Sequence, residues 1–200
     1  MKNTKIRSWG ILALLLLGLA TCSSPNNVPS GQVVISDFEN STDGWSGDFA
    51  DLFMYMMKKI SGLDVTQPYE VAFDIDLASN YATNSVGIGG SPGASVFLKA
   101  GVSSEEPLKV LKGNYYEVTI DKGNQAQEGE EMLVLGHVGA GQDVNYYRVI
   151  RRDNLQNPIE VKPDAEGNLW LCVGTDSGFE GKTILYYDKI RALIRPVEAS

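Results

Sequence analysis

The 200-residue chain has two cysteines, one histidine and a single extended apolar run, and each scarcity excludes something. The cysteines are Cys22 and Cys172, with no CxxC pair. If Cys22 is spent elsewhere, as argued below, no intrachain disulfide can form. Cys172 lies inside Leu169-Trp170-Leu171-Cys172-Val173, where a buried, inert thiol is expected. A zinc site needs several His or Cys ligands, and they are missing. A serine nucleophile needs a histidine base, and His137, the only one, sits in a strand-like stretch and is expected to be a satisfied strand residue. The apolar run from Trp9 to Ala20 is too short to cross a bilayer, which takes about 20 residues. Basic residues are few, at 17 against 25 acidic ones.

What is present at the amino end is a positive head of Lys2, Lys5 and Arg7, then that short apolar run, then small residues. This is the pattern of a signal peptide, here residues 1–21. Leu19-Ala20-Thr21-Cys22 resembles the lipobox of bacterial lipoproteins, with Thr21 where Gly, Ala or Ser is usual. The resemblance implies that the Cys22 thiol takes a diacylglycerol and the chain is cut before it. The competing reading is ordinary secretion with Cys22 incidental. Several acyl chains bury many methylenes at about 0.8 kcal/mol each, so the membrane would hold the protein through its lipid. The expected location is the cell envelope, at the outer membrane if the cell is Gram-negative, because Ser23 and not Asp follows the cysteine. Residues 22–31 form a polar tether with two prolines.

Residues 32–196 suit one domain, and 43% apolar content is enough to build a core. The leader holds three of the 17 basic residues and no acidic one, so the rest carries 14 against 25, a balance of −11. A surface so negative repels phosphate backbones, and nucleic acid is not an expected partner.

Tyr69, Val71, Phe73, Ile75 and Leu77 alternate with Glu70, Ala72, Asp74 and Asp76, which predicts a strand with one buried face. Tyr116, Val118 and Ile120 repeat the pattern, as does Ile184 to Ile194. Shorter strands are predicted over 33–38, 52–60, 85–88, 95–102, 132–138, 146–150, 158–161 and 169–173. Gly-rich turns separate them, among them Lys112-Gly113-Asn114 and Glu166-Gly167-Asn168. Some ten strands without an amphipathic helix argue for an all-β, antiparallel β-sandwich.

Asp37-Phe38-Glu39 followed by Asp43-Gly44-Trp45 resembles the opening of jelly-roll carbohydrate-binding modules. Ile60-Ser61-Gly62-Leu63 with the Tyr69–Ile75 alternation is similar to their central strands, and Tyr187-Asp188-x-Ile190 to their closing strand. GDFAD, SVGIGGSPGASVFLKAG, IDKGNQ and VGTDSGFEG also look like a group of uncharacterised bacterial lipoproteins. In that group a longer stretch separates the Trp motif from the next strand, so an early strand is expected to be missing. The module likeness implies a structural calcium site at Asp37, Glu39 and Asp188, since such modules staple their ends that way. The competing reading makes these three ordinary edge acids.

For binding, Gly174 to Gly181 is the densest polar cluster, with Asp176, Ser177 and Glu180 as hydrogen-bonding groups and Phe179 as a flat apolar face. The alternative is a hairpin with Phe179 tucked inward. Tyr115 and Tyr187 lie opposite the apolar faces of their strands, and an exposed platform is expected of them. Trp45, in a loop beside Asp43 and Asp48, is the expected surface tryptophan and Trp170 the core one. Gly89-Gly90-Ser91-Pro92-Gly93 matches G-x-S-x-G but leads into a strand, so a plain turn is expected. Two carboxylates across a cleft would make a glycosidase, and no pairing is legible. The leading expectation is a non-catalytic, membrane-anchored domain that binds a glycan. The alternatives are a structural or protein-interaction lipoprotein that pairs through an open sheet edge, and a jelly-roll hydrolase or lyase.

Overall fold

The computed structural model describes Gly31 to Glu198 apart from Asp51, so Cys22 and the leader lie outside the described residues. Twelve strands and no helix are present there: β1 Gln32–Ser36, β2 Ser46–Ala50, β3 Phe53–Ile60, β4 Tyr69–Ser79, β5 Val96–Ser103, β6 Lys109–Lys112, β7 Tyr115–Val118, β8 Met132–His137, β9 Arg148–Asp153, β10 Ile159–Val161, β11 Leu169–Ser177 and β12 Tyr186–Pro196. All pairings are antiparallel. One sheet runs β1-β12-β4, with β9 and β10 sharing the far side of β4. The facing sheet runs β2-β3-β11-β5-β8, and β6 and β7 form a separate hairpin. The fold is the expected β-sandwich.

The two sheets bury different numbers of faces, and that explains their sequences. In the β4 sheet Tyr69, Val71, Phe73, Ile75 and Leu77 meet Leu98, Ala100, Leu169, Leu171 and Val173 across the core. On its outer face β4 presents Glu70, Asp74 and Asp76, hence the clean alternation along that strand. The β11 sheet is covered on its outer face too, where Ala50, Phe53, Tyr55, Met132 and Cys172 pack with Ile120 and Val118. Strands buried on both faces lose alternation, and Leu169–Val173 is such a run. On the outer face of the β4 sheet, Asp74 is buried beneath Arg151 and Arg191 and accepts from both guanidinium groups.

Three sequence expectations change. Residues 85–88 form no strand, and Val86 and Ile88 are exposed. Ser46–Ala50, where a gap was expected, is itself an edge strand paired with β3. Lys109–Lys112 is a strand that alternation does not reveal, because its four residues face a hairpin partner and not the core.

Three buried groups carry a pH signature. Burial pushes the Tyr55 phenol up to about 12, with Asp48 adding to the effect. Burial also raises the Cys172 thiol and the Tyr187 phenol. The folded protein therefore keeps protons that the unfolded chain releases. Stability from these groups is present below their unfolded pKa values and is lost as pH rises toward the folded ones. Lys99, whose pKa burial lowers, works the other way, as one group against three. The urea midpoint is expected to decline above pH 9.0, where a free thiol ionises, and more steeply between 10.0 and about 12. A midpoint that stayed level to pH 12 would contradict this burial.

Candidate functional site

The β6–β7 hairpin turns at Gly113-Asn114, and Gly113 has a φ of 64°, a conformation that favours glycine there. The register places Lys112 opposite Tyr115 and Leu111 opposite Tyr116. Val118 points into the second core layer and so seats the hairpin on the β11 sheet. Both tyrosines remain well exposed, Tyr115 at 56% and Tyr116 at 47%. As neighbours in β7 their side chains point to opposite faces of the hairpin, Tyr116 to the Val118 side and Tyr115 away from it. Both touch a groove of about 460 Å³, which Ala50, Val118, Ile120, Asp121, Lys122 and Asn124 also line.

Asp121 to Asn124 belong to an irregular segment, so their backbone groups need partners. The Asp121 carboxylate accepts from the amides of Gly123 at 3.1 Å and Glu130 at 2.9 Å, which holds its pKa below the usual carboxylate range. The Asp121 amide in turn donates to the Glu131 carboxylate. Beneath lies a buried charge network. Lys99 of β5 is fully buried and donates to the carbonyls of Lys122 at 2.5 Å and Gln127 at 2.8 Å. Asp176 of β11 sits 3.5 Å from the Lys99 ammonium and accepts from Lys122 Nζ at 2.7 Å and the Gln125 amide at 3.0 Å. Burial lowers the Lys99 pKa, Asp176 opposes that shift, and Lys122 adds to it. The network ties the groove's irregular wall to two central strands.

Two of the three charged residues that line the groove are ion-paired, and the third, Asp121, is held by backbone amides. Lys112 pairs with Glu117 at 2.6 Å, and Lys122 pairs with Asp176. A neutral ligand asks none of these groups to surrender a partner. A flat tyrosine face beside fixed amide, hydroxyl and carboxylate groups is what a polyhydroxylated ring needs: apolar contact on its C–H face and directional hydrogen bonds at its edge.

Of the ligand residues expected from sequence, Tyr115 lines this groove and Asp176 supports it from below. The others lie elsewhere. Trp45 is a correction: it is 5% exposed, and its indole N–H donates to Ser36 Oγ at 2.9 Å. Its neighbours Asp43 and Gly44 take positive φ, which turns the ring inward. Trp170 is the converse correction, half-buried on the outer face of the β11 sheet with the Lys59 ammonium 5.5 Å from its ring. Tyr187 forms no exposed platform either, because the bulge between Tyr187 and Lys189 reverses its side and packs it against the core. Phe179 follows the inward alternative, held between Gly87 and Gly181, where a Cβ on either would come within 2.4 Å of its ring. Ser177 closes a local turn on Phe179, and the exposed Glu180 donates its amide to the Ile88 carbonyl.

The calcium carboxylates are not assembled into a site: among the described residues no group of three or more His, Cys, Asp or Glu is placed to hold a metal ion. The Asp37 carboxylate accepts from the Glu39 amide instead. Ser91 Oγ accepts from the amides of Gly93 and Ala94 and so closes a turn, as expected. His137 lies in β8, where its Nδ1 accepts from the Gly139 amide and burial lowers its pKa. Sequence reasoning missed Tyr116, Lys99 and Lys122 as parts of one arrangement. The available signal was Lys99 itself, a lone cation in the buried run Val96–Val102, which calls for a carboxylate partner. No known family model matches the sequence, and no curated protein is detectably similar to it.

Proposed function

We propose that this protein is a lipoprotein of the bacterial cell envelope, anchored through Cys22, whose β-sandwich binds carbohydrate without catalysis. The observation that supports the reading is the groove in which exposed tyrosine of the β6–β7 hairpin adjoins Asp121, Lys122 and Asn124. An aromatic face and hydrogen-bonding groups adjoin there, while Glu117 and Lys122 are ion-paired to neighbours. The sugar favoured by that balance is an uncharged one.

The test is binding of the full chain to a broad glycan array, followed by calorimetry on any sugar retained. Tyr115→Ala is expected to weaken binding about tenfold, the loss of one aromatic stacking contact, with the thermal midpoint unchanged because the side chain is exposed. An array without a single retained glycan would sink the carbohydrate reading. The anchor is tested apart from the sugar: Cys22→Ala is expected to move the protein from the membrane fraction to the soluble one.

A further inference from the structure

A second groove, of about 370 Å³, lies on the other side of β2. Phe49, Met54 and Met56 line it from the β11 sheet, and Leu185 and Tyr187 line it from the opposite side. Pairing sets the two sides of β2 apart. Gly47 lies opposite Met56 and Phe49 opposite Met54, on the face turned toward the other sheet, while Ala50 lies opposite Phe53 on the face of the tyrosine groove. Phe49 and Met54 are 58% and 61% exposed, which leaves large apolar side chains in water at its mouth. Polar groups of Asp48, Tyr55, Thr175, Thr183 and Tyr187 also line it, but Phe49, Met54, Met56 and Leu185 make most of its open surface apolar, which suits a hydrocarbon. Methionines adapt their shape to such a guest.

One side chain joins the grooves. The Lys109 ammonium lies 4.7 Å from the Phe49 ring centre and 5.4 Å from that of Tyr116. Phe49 belongs to the apolar groove and Tyr116 to the polar one. Lys109 is ion-paired to Asp48 at 2.5 Å, so its charge is satisfied while it bridges the two rings. A polar site and an apolar site thus adjoin across one five-residue edge strand.

We infer that the ligand is a glycolipid, with its sugar head in the tyrosine groove and one hydrocarbon tail crossing β2 at Lys109 into the Phe49–Met54 groove. This rests on the carbohydrate reading and adds the tail to it. The adjacency of the two grooves across β2 points to the occupant, because a free sugar has no use for the apolar groove and a plain fatty chain has none for the tyrosines.

The experiment titrates the full chain carrying Cys22→Ala, so that no anchor lipid competes, with octyl, decyl and dodecyl maltosides below their micelle concentrations. Polyoxyethylene ethers with the same tails control for the head. Affinity for the maltosides is expected to rise about fourfold for each methylene that enters the groove. Met54→Asp is expected to remove that rise, with Phe49→Asp as a second variant at an equally exposed position. Maltoside affinity independent of tail length would overturn the glycolipid while leaving the carbohydrate reading to its array. A rise that survives both substitutions would place the tail elsewhere and also overturn it. Equal binding of the polyoxyethylene ethers would mean an apolar site indifferent to sugar, against the glycolipid and the carbohydrate reading alike.

Discussion

Asp176→Ala is expected to destabilise the domain by about 3–5 kcal/mol, the cost of leaving a buried charge without its partner. Asp176 is 3% exposed, and the fully buried Lys99 ammonium beside it has no other carboxylate within ion-pair range among the described residues. The variant also strips the acceptor from Lys122 Nζ and from the Gln125 amide. Lys99→Met should cost less, about 1–3 kcal/mol, because it removes the buried charge itself and leaves Asp176 paired with Lys122. Two backbone carbonyls, of Lys122 and Gln127, then lose their donor. Urea unfolding of the two variants measures both numbers and, more usefully, their order. If Lys99→Met proved the more damaging, the network would owe its value to holding the 121–127 segment and not to charge compensation. If both cost under about 0.5 kcal/mol, comparable to an ordinary surface substitution, the burial described here would be wrong.

The second large effect concerns Trp45. Trp45→Ala is expected to cost about 3–5 kcal/mol, the range for removing a buried aromatic side chain. The ring belongs to the main core, and its N–H satisfies Ser36, which Lys58 Nζ also approaches at 3.4 Å. Trp45→Phe should recover part of that loss, since the apolar volume largely stays and only the hydrogen bond disappears. A surface tryptophan, as the loop composition suggests, would instead give Trp45→Ala a stability near that of the parent. Chemical denaturation followed by circular dichroism separates the two outcomes.

Trp45 and Trp170 show where sequence patterning stops being informative. Trp45 sits among Asp43, Gly44, Ser46 and Asp48, a composition that reads as solvent-facing loop. It is buried because the Asp43 carboxylate accepts from the amides of Asp37 and Phe38 and closes the β1–β2 connection over it. Trp170 sits in a continuous apolar run that reads as core, but it lies near one end of β11, where it meets Lys59 and not the covering layer. Burial in such places depends on what lies above a residue, and its chain neighbours do not report that. The groove follows the same rule. Tyr115 was legible as an exposed aromatic because its strand alternates. Its partners were not, since Ala50, Asn124 and Tyr116 are brought together by the way a hairpin and an irregular segment fold over the outer face of one sheet.

The sequence by itself determined the all-β class, the strands of the singly buried sheet and the places of most turns. Each follows from interactions between residues close along the chain: side-chain alternation across a pleat and the backbone freedom of glycine. Only the tertiary structure decided which sheet is covered on both faces, that Lys99 and Asp176 meet beneath the 121–127 segment, and that two unlike grooves share the β2 edge. Those contacts join residues dozens of positions apart, and their energy exists only once two sheets and a hairpin have excluded water between them.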